Sequence, residues 1–90
     1  MARESHRQRY EVFLSLLREE RVRAGLTQAQ LASRLKDTQT FVSKCERGER
    51  RLDVVDLIDF IDAMGLSASS FFTDLDSKLR STSAQKKKKP

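Results

Sequence analysis

Apolar residues recur at steps of three and four from Tyr10 to Leu75, and nowhere does the chain alternate with the period of two that a half-buried strand needs. Stepping about 100° per residue from Tyr10 puts Phe13, Leu14, Leu17 and Ala24 on one face, with Glu11, Ser15, Glu19 and Arg23 elsewhere. This predicts an amphipathic helix from about residue 7 to Ala24, ended by Gly25. "TQAQLASRL" then offers Thr27 as an N-cap and Gln30 three residues on, which is a capping box, and Leu31, Ala32 and Leu35 form its inner side.

Only Lys36 and Asp37 separate this second helix from the next, which begins with Thr38 as N-cap and runs to Arg47 before Gly48. Two short helices joined so tightly must cross steeply, as in a helix-turn-helix. Val42 and Cys45 of the third helix face inward, flanked by Thr38 and Glu46. Thr40, Ser43, Lys44 and Arg47 gather on the opposite side, with Gln39 and Phe41 at the borders. A fourth helix is predicted from the cap Asp53 to Met64. Its expected core face is Val54, Leu57, Ile58, Ile61 and Met64, and Asp56, Asp59 and Asp62 lie along the other. Ser67 caps a short fifth helix that carries Phe71, Phe72 and Leu75. The expected organisation is a flexible N-terminus at 1–6, an all-α five-helix domain at 7–80 and a disordered basic tail at 81–90, where "STSAQKKKKP" has nothing to bury.

Two polar residues interrupt the apolar faces. Arg21 falls within that of the first helix, and Glu46 lies on the core side of the third. An unpaired guanidinium there is very costly, so an internal Arg21–Glu46 ion pair is expected to staple the two helices together. Cys45, the chain's single cysteine, points inward and is expected to be a core residue. It cannot form an internal disulfide, and it shows no metal-ligand spacing with the lone His6. A reduced, cytoplasmic setting without a membrane segment is expected, because the charged start has no long apolar run.

Charge sharpens the picture by its placement. Residues 1–51 hold 12 Lys/Arg against 7 Asp/Glu, residues 52–80 hold 2 against 6, and Lys86 to Lys89 close the chain. The net charge of +5 therefore hides a cationic half and an anionic half. Such polarity favours an anionic partner docking on the first half.

Arg21, "GLTQ" at 25–28, "LA" at 31–32, "ERG" at 46–48 and "MGLS" at 64–67 stand in one register between Leu14 and Phe72. In this the chain resembles the lambda-repressor-like (phage repressor, or XRE-type) helix-turn-helix family. The resemblance implies a compact five-helix fold, major-groove DNA binding and control of transcription. It also implies that Gln28 touches the DNA backbone and that Thr38, Gln39, Thr40, Ser43 and Lys44 belong to the recognition helix, with Gln39, Thr40 and Lys44 nearest base edges. The same family pairs the residues at positions 21 and 46 internally. The chain departs from the pattern at Lys36, where the family usually has Gly, and at Cys45, where Ile or Leu is commoner.

The residue types suit that task. Gln39 can make a bidentate pair with adenine, Lys44 can donate to guanine and Thr40 can offer a methyl to thymine. Thr27 and Gln28 open the second helix, whose exposed amides favour a phosphate. Arg47, Arg50 and Arg51 leave the third helix where they can neutralise phosphates. Phe41 either covers the edge of the core or touches the sugar-phosphate. The expected function is a sequence-specific transcriptional regulator, a repressor acting as a homodimer on a palindromic operator in double-stranded DNA, with no cofactor and no catalysis. Val12, Leu16, Val55, Phe72 and the fifth helix are the candidate dimer contacts. The alternative is an antitoxin that binds both a toxin and its own operator. Against an enzyme stands the lack of a paired-carboxylate, Ser/His/Asp or metal-ligand constellation.

Overall fold

The computed structural model describes residues 3–87, with side chains from Ser5 to Ser81. Five helices follow in order: α1 (Arg3–Arg23), α2 (Gln28–Leu35), α3 (Gln39–Glu46), α4 (Val54–Ala63) and α5 (Ala68–Lys87). No strand occurs among the described residues. α2 packs on α3, α1 lies against both α3 and α5, and α4 bridges α2 and α5.

The helix starts follow their capping residues. Thr27 Oγ1 accepts the Gln30 amide at 3.0 Å, and Gln30 Oε1 accepts the Thr27 amide at 2.9 Å. Asp53 and Asp56 form the same box at the head of α4. Thr38 Oγ1 accepts the Phe41 amide and opens α3. Each bond satisfies an amide that has no partner within its own helix.

The core draws Phe13, Leu14, Leu16 and Leu17 from α1, Leu31 and Ala32 from α2, and Val42 and Cys45 from α3. α4 adds Leu57, Phe60, Ile61 and Met64, and α5 adds Phe71. Several of these differ from the single-stripe expectation. Leu16 is only 2% exposed, because α1 is flanked on two sides and its buried face is wider than one stripe. It lies in the α1–α5 cleft beside Asp74, Ser77 and Lys78, so it offers no surface for the expected dimer contact. Ala24 is exposed at the helix end. On α4 the core stripe is rotated: Phe60 is fully buried, Ile58 half-buried and Val54 69% exposed. Val54 is the first residue of the helix, where a side chain points past the packed turn.

Both terminal helices run further than expected. α1 starts at Arg3, inside the stretch expected to be flexible, and α5 continues to Lys87, past Ser81 where the tail was expected to begin. A helix already anchored by Phe71 and Leu75 adds residues at little cost, because only nucleation is unfavourable. Residues 1, 2 and 88–90 of the expected termini lie outside the described residues.

Burial pushes the Cys45 thiol from its ordinary 9.0 up to about 11, with Asp56, Asp37 and Glu46 adding to the rise and Arg50 opposing it. The folded state thus holds a proton that the unfolded chain has already released. Stability is fully present below pH 9 and is lost as the pH rises from 9 to about 11, on the order of 1.4 kcal/mol per unit. Urea unfolding between pH 8 and 11 should show this decline in the wild type, and Cys45→Val should flatten it.

Candidate nucleic-acid interface

α3 divides into two sides along its length. Val42, Cys45 and Glu46 are buried, while Gln39, Thr40, Lys44 and Arg47 are exposed and Ser43 is half-exposed. No carboxylate of α3 stands on the outer side, since its one acidic residue is Glu46.

Glu46 fixes how that outer side is presented. Arg21 Nε donates to Glu46 Oε2 at 2.6 Å and Nη2 donates to Oε1 at 3.1 Å, a bidentate pair. The third donor of Arg21, Nη1, reaches the Leu26 carbonyl at 2.9 Å. Gln28 Nε2 donates to Glu46 Oε1 at 3.0 Å. The side chains of Arg21 and Glu46 are 12% and 2% exposed, so little water competes. One carboxylate therefore ties α3 to α1, to the head of α2 and, through Arg21, to the turn between them.

The turn between α2 and α3 is equally constrained. Lys36 takes φ 60° and ψ 42°, the left-handed conformation that costs a residue with a Cβ about 1 kcal/mol. Its amide and that of Asp37 donate to the Ser33 and Ala32 carbonyls at 3.1 and 3.0 Å, closing α2. Asp37 Oδ1 then accepts the Thr38 amide at 2.7 Å.

Beyond α3, Gly48 has φ +81°, and a Cβ there would come within 3.2 Å of Leu14 Cδ1. Glycine lets the chain turn hard against α1. The amides of Glu49 and Arg50 both donate to the Lys44 carbonyl, at 2.9 and 3.2 Å. The Leu52 amide donates to Tyr10 Oη at 3.3 Å. The two arginines of this loop sit on aromatic rings: the Arg50 guanidinium lies 5.0 Å from the centre of Phe41, and that of Arg51 lies 4.4 Å from the centre of Tyr10. Neither has a carboxylate within ion-pair reach among the described residues, in contrast to Arg21, Arg23, Arg47 and Arg80.

The structure thus brings Gln39, Thr40, Ser43 and Lys44 together on one helix and sets Arg47, Arg50 and Arg51 at its C-terminal end. Thr27 and Thr38 hold helix heads with their hydroxyl oxygens, and each hydroxyl keeps a hydrogen free to donate. Gln28 is turned partly inward to Glu46. Phe41 packs its ring on Phe60, with centroids 6.0 Å apart, so it covers the edge of the core while carrying Arg50. Two participants were absent from the sequence expectations. Tyr10 appeared there only as a core residue, and Glu49 was not singled out at all. Glu49 receives Arg47 Nε at 2.9 Å and Nη2 at 3.2 Å. A Glu two residues after an Arg across a glycine turn was the available signal.

A short helix whose own outer side carries no carboxylate, packed on α1 and joined to α2 by a tight turn, defines the class: a helix-turn-helix domain. A helix-turn-helix domain model matches residues 13–70. An XRE-family like protein from Pseudomonas syringae pv. tomato str. DC3000 superposes with a TM-score of 0.79 and 42% identity, covering 86% of this chain and 96% of that one. The restriction-modification controller protein C.Esp1396I superposes with a TM-score of 0.71 and 25% identity; its wild-type form covers 79% of this chain and 91% of its own. A single-substitution form of that controller protein gives the same TM-score over 77% of this chain. No curated protein sequence matches the chain. The chain belongs to the XRE-type helix-turn-helix family and is a DNA-binding transcriptional regulator. None of the described helices is long and apolar enough to cross a membrane.

Proposed function

We propose that the chain is a sequence-specific repressor that lays α3 in the major groove of an operator. The observation that carries this is the outer side of α3, where Gln39, Thr40, Ser43 and Lys44 stand in a row with no acidic neighbour on the helix. Gln39, Thr40, Ser43 and Lys44 read base edges. Thr27, Gln28, Thr38 and Phe41 line the backbone side, and Arg47, Arg50 and Arg51 neutralise phosphates. The seats of Arg50 on Phe41 and of Arg51 on Tyr10 support the backbone role, because a guanidinium stacked on a ring is oriented before it meets its phosphate. One such domain spans only a few base pairs, so the reading includes a homodimer on two half-sites about 34 Å apart.

The test is binding to duplexes selected from random DNA, followed by mobility shift over a range of salt. Wild type should prefer the selected sequence, with log K falling against log salt at a slope of about −4 to −5 per protomer if four to six phosphates are neutralised. Arg50→Gln/Arg51→Gln should weaken selected and scrambled duplexes alike and flatten the slope by about 2. Failure of the wild type to prefer any sequence would overturn the proposal.

A further inference from the structure

Arg47 is the exception among the three cations at the end of α3. Glu49 grips its guanidinium with both carboxylate oxygens, Oε2 on Nε and Oε1 on Nη2. The remaining terminal nitrogen, Nη1, donates to the Ser43 hydroxyl. Three of the five N–H donors of the guanidinium, including both of the side-on fork, are thereby engaged in the free protein. The fork that Glu49 fills is one that a phosphate can fill, since carboxylate and phosphate present two oxygens at similar spacing to a planar guanidinium. The Arg47 hydrogen bond and charge hold the Glu49 carboxyl below its usual range, and Lys44 adds to this. The carboxylate is therefore charged and placed against two cations of the reading side.

We infer that Glu49 is an internal stand-in for DNA phosphate, which holds Arg47 back from loosely bound DNA and yields it only in the fully docked complex. This rests on the proposed DNA-reading role of α3. Loose, sequence-independent complexes are held by diffuse attraction between cations and phosphates. A tethered carboxylate two residues away outcompetes a phosphate that is only nearby and still hydrated. In the docked complex the phosphate is held at a fixed place, can take both N–H donors of the fork and can displace Glu49. Glu49 thus lowers affinity for DNA: the loose complex forgoes the Arg47 contact, and the docked complex forms only after the Arg47–Glu49 pair is given up. Both side chains are half-exposed, so the exchange needs no rearrangement of the core.

The experiment is a double-mutant cycle of Glu49→Gln and Arg47→Met. It is read as affinity for a selected duplex and a scrambled duplex at several salt concentrations, with far-UV circular dichroism confirming the fold of each variant. Glu49→Gln should tighten binding to the scrambled duplex by about two- to fivefold, the range of an exposed ion pair. It should steepen that salt slope by about 0.9 and tighten the selected duplex at least as much, because there the wild type gives up the ion pair before Arg47 meets its phosphate. In the Arg47→Met background the same substitution should have no effect on either duplex. If Glu49→Gln leaves scrambled DNA unaffected, or tightens it equally without Arg47, Glu49 acts only through the general field and the inference fails. Loss of sequence preference in the wild type itself would instead overturn the DNA-reading role beneath it.

Discussion

With Glu46 replaced by Ala, the urea midpoint of unfolding should fall by about 2–3 M, and a large share of the chain should be unfolded at 37 °C. Arg21 would keep only the Leu26 carbonyl, and Gln28 would lose its partner, in a site where Arg21 is 12% exposed. Removing one member of a buried pair typically costs about 3–5 kcal/mol, because the other charge stays behind without water or counter-charge. A domain of this length has roughly 5–13 kcal/mol of total stability, so the loss is a large part of the whole. The companion variant Arg21→Met/Glu46→Leu removes both charges and should recover most of the midpoint, because apolar residues of similar volume replace a buried pair at little cost. Urea unfolding followed by far-UV circular dichroism distinguishes the two. A loss below about 1 kcal/mol in Glu46→Ala would mean that water reaches Arg21 and that the pair is not a staple.

The second large effect concerns discrimination rather than stability. Gln39→Ala/Lys44→Ala should leave the unfolding midpoint within about 0.5 kcal/mol of wild type, because both side chains are exposed and neither makes a bond that holds the fold. Its ratio of selected to scrambled affinity should nevertheless fall at least about thirtyfold, since each good base contact is worth about 1–3 kcal/mol. Affinity for scrambled DNA should drop only by the loss of one cation, and its salt slope should flatten by about 0.9. Parallel titrations of both duplexes at one salt concentration measure the ratio. An unchanged ratio would place base reading elsewhere than on Gln39 and Lys44.

Much of this arrangement was legible in the sequence because it is local. The caps at Thr27, Thr38 and Asp53 are written within four residues, and the structure closes each of them. Arg21 and Glu46 were legible for another reason: each is a charge on an otherwise apolar stripe, and two such charges of opposite sign have few places to go. What escaped depends on how helices are rotated about their axes and on which neighbours they acquire. The burial of Leu16 needs a second wall, α5, that the pattern of α1 alone does not announce. The exchange of Val54 for Phe60 in the core follows from a modest rotation of α4 that helical spacing leaves free. Tyr10 and Leu52 meet across 42 positions, and only the folded α1 brings the ring beneath Arg51. The grip of Glu49 on Arg47 depends on the left-handed turn at Gly48, which redirects the chain between them.

The separation of α3 into a buried side and an outer side has a consequence for how such a protein changes over generations. Val42, Cys45 and Glu46 hold the helix in place, and none of them needs to touch the partner. Gln39, Thr40, Ser43 and Lys44 face outward and contribute almost nothing to the core. On the proposed reading of α3, mutation can therefore rewrite the outer four residues, and with them the address the protein answers to, while the scaffold stays intact. A duplicated copy could acquire a new target in a few substitutions without passing through an unfolded intermediate sequence.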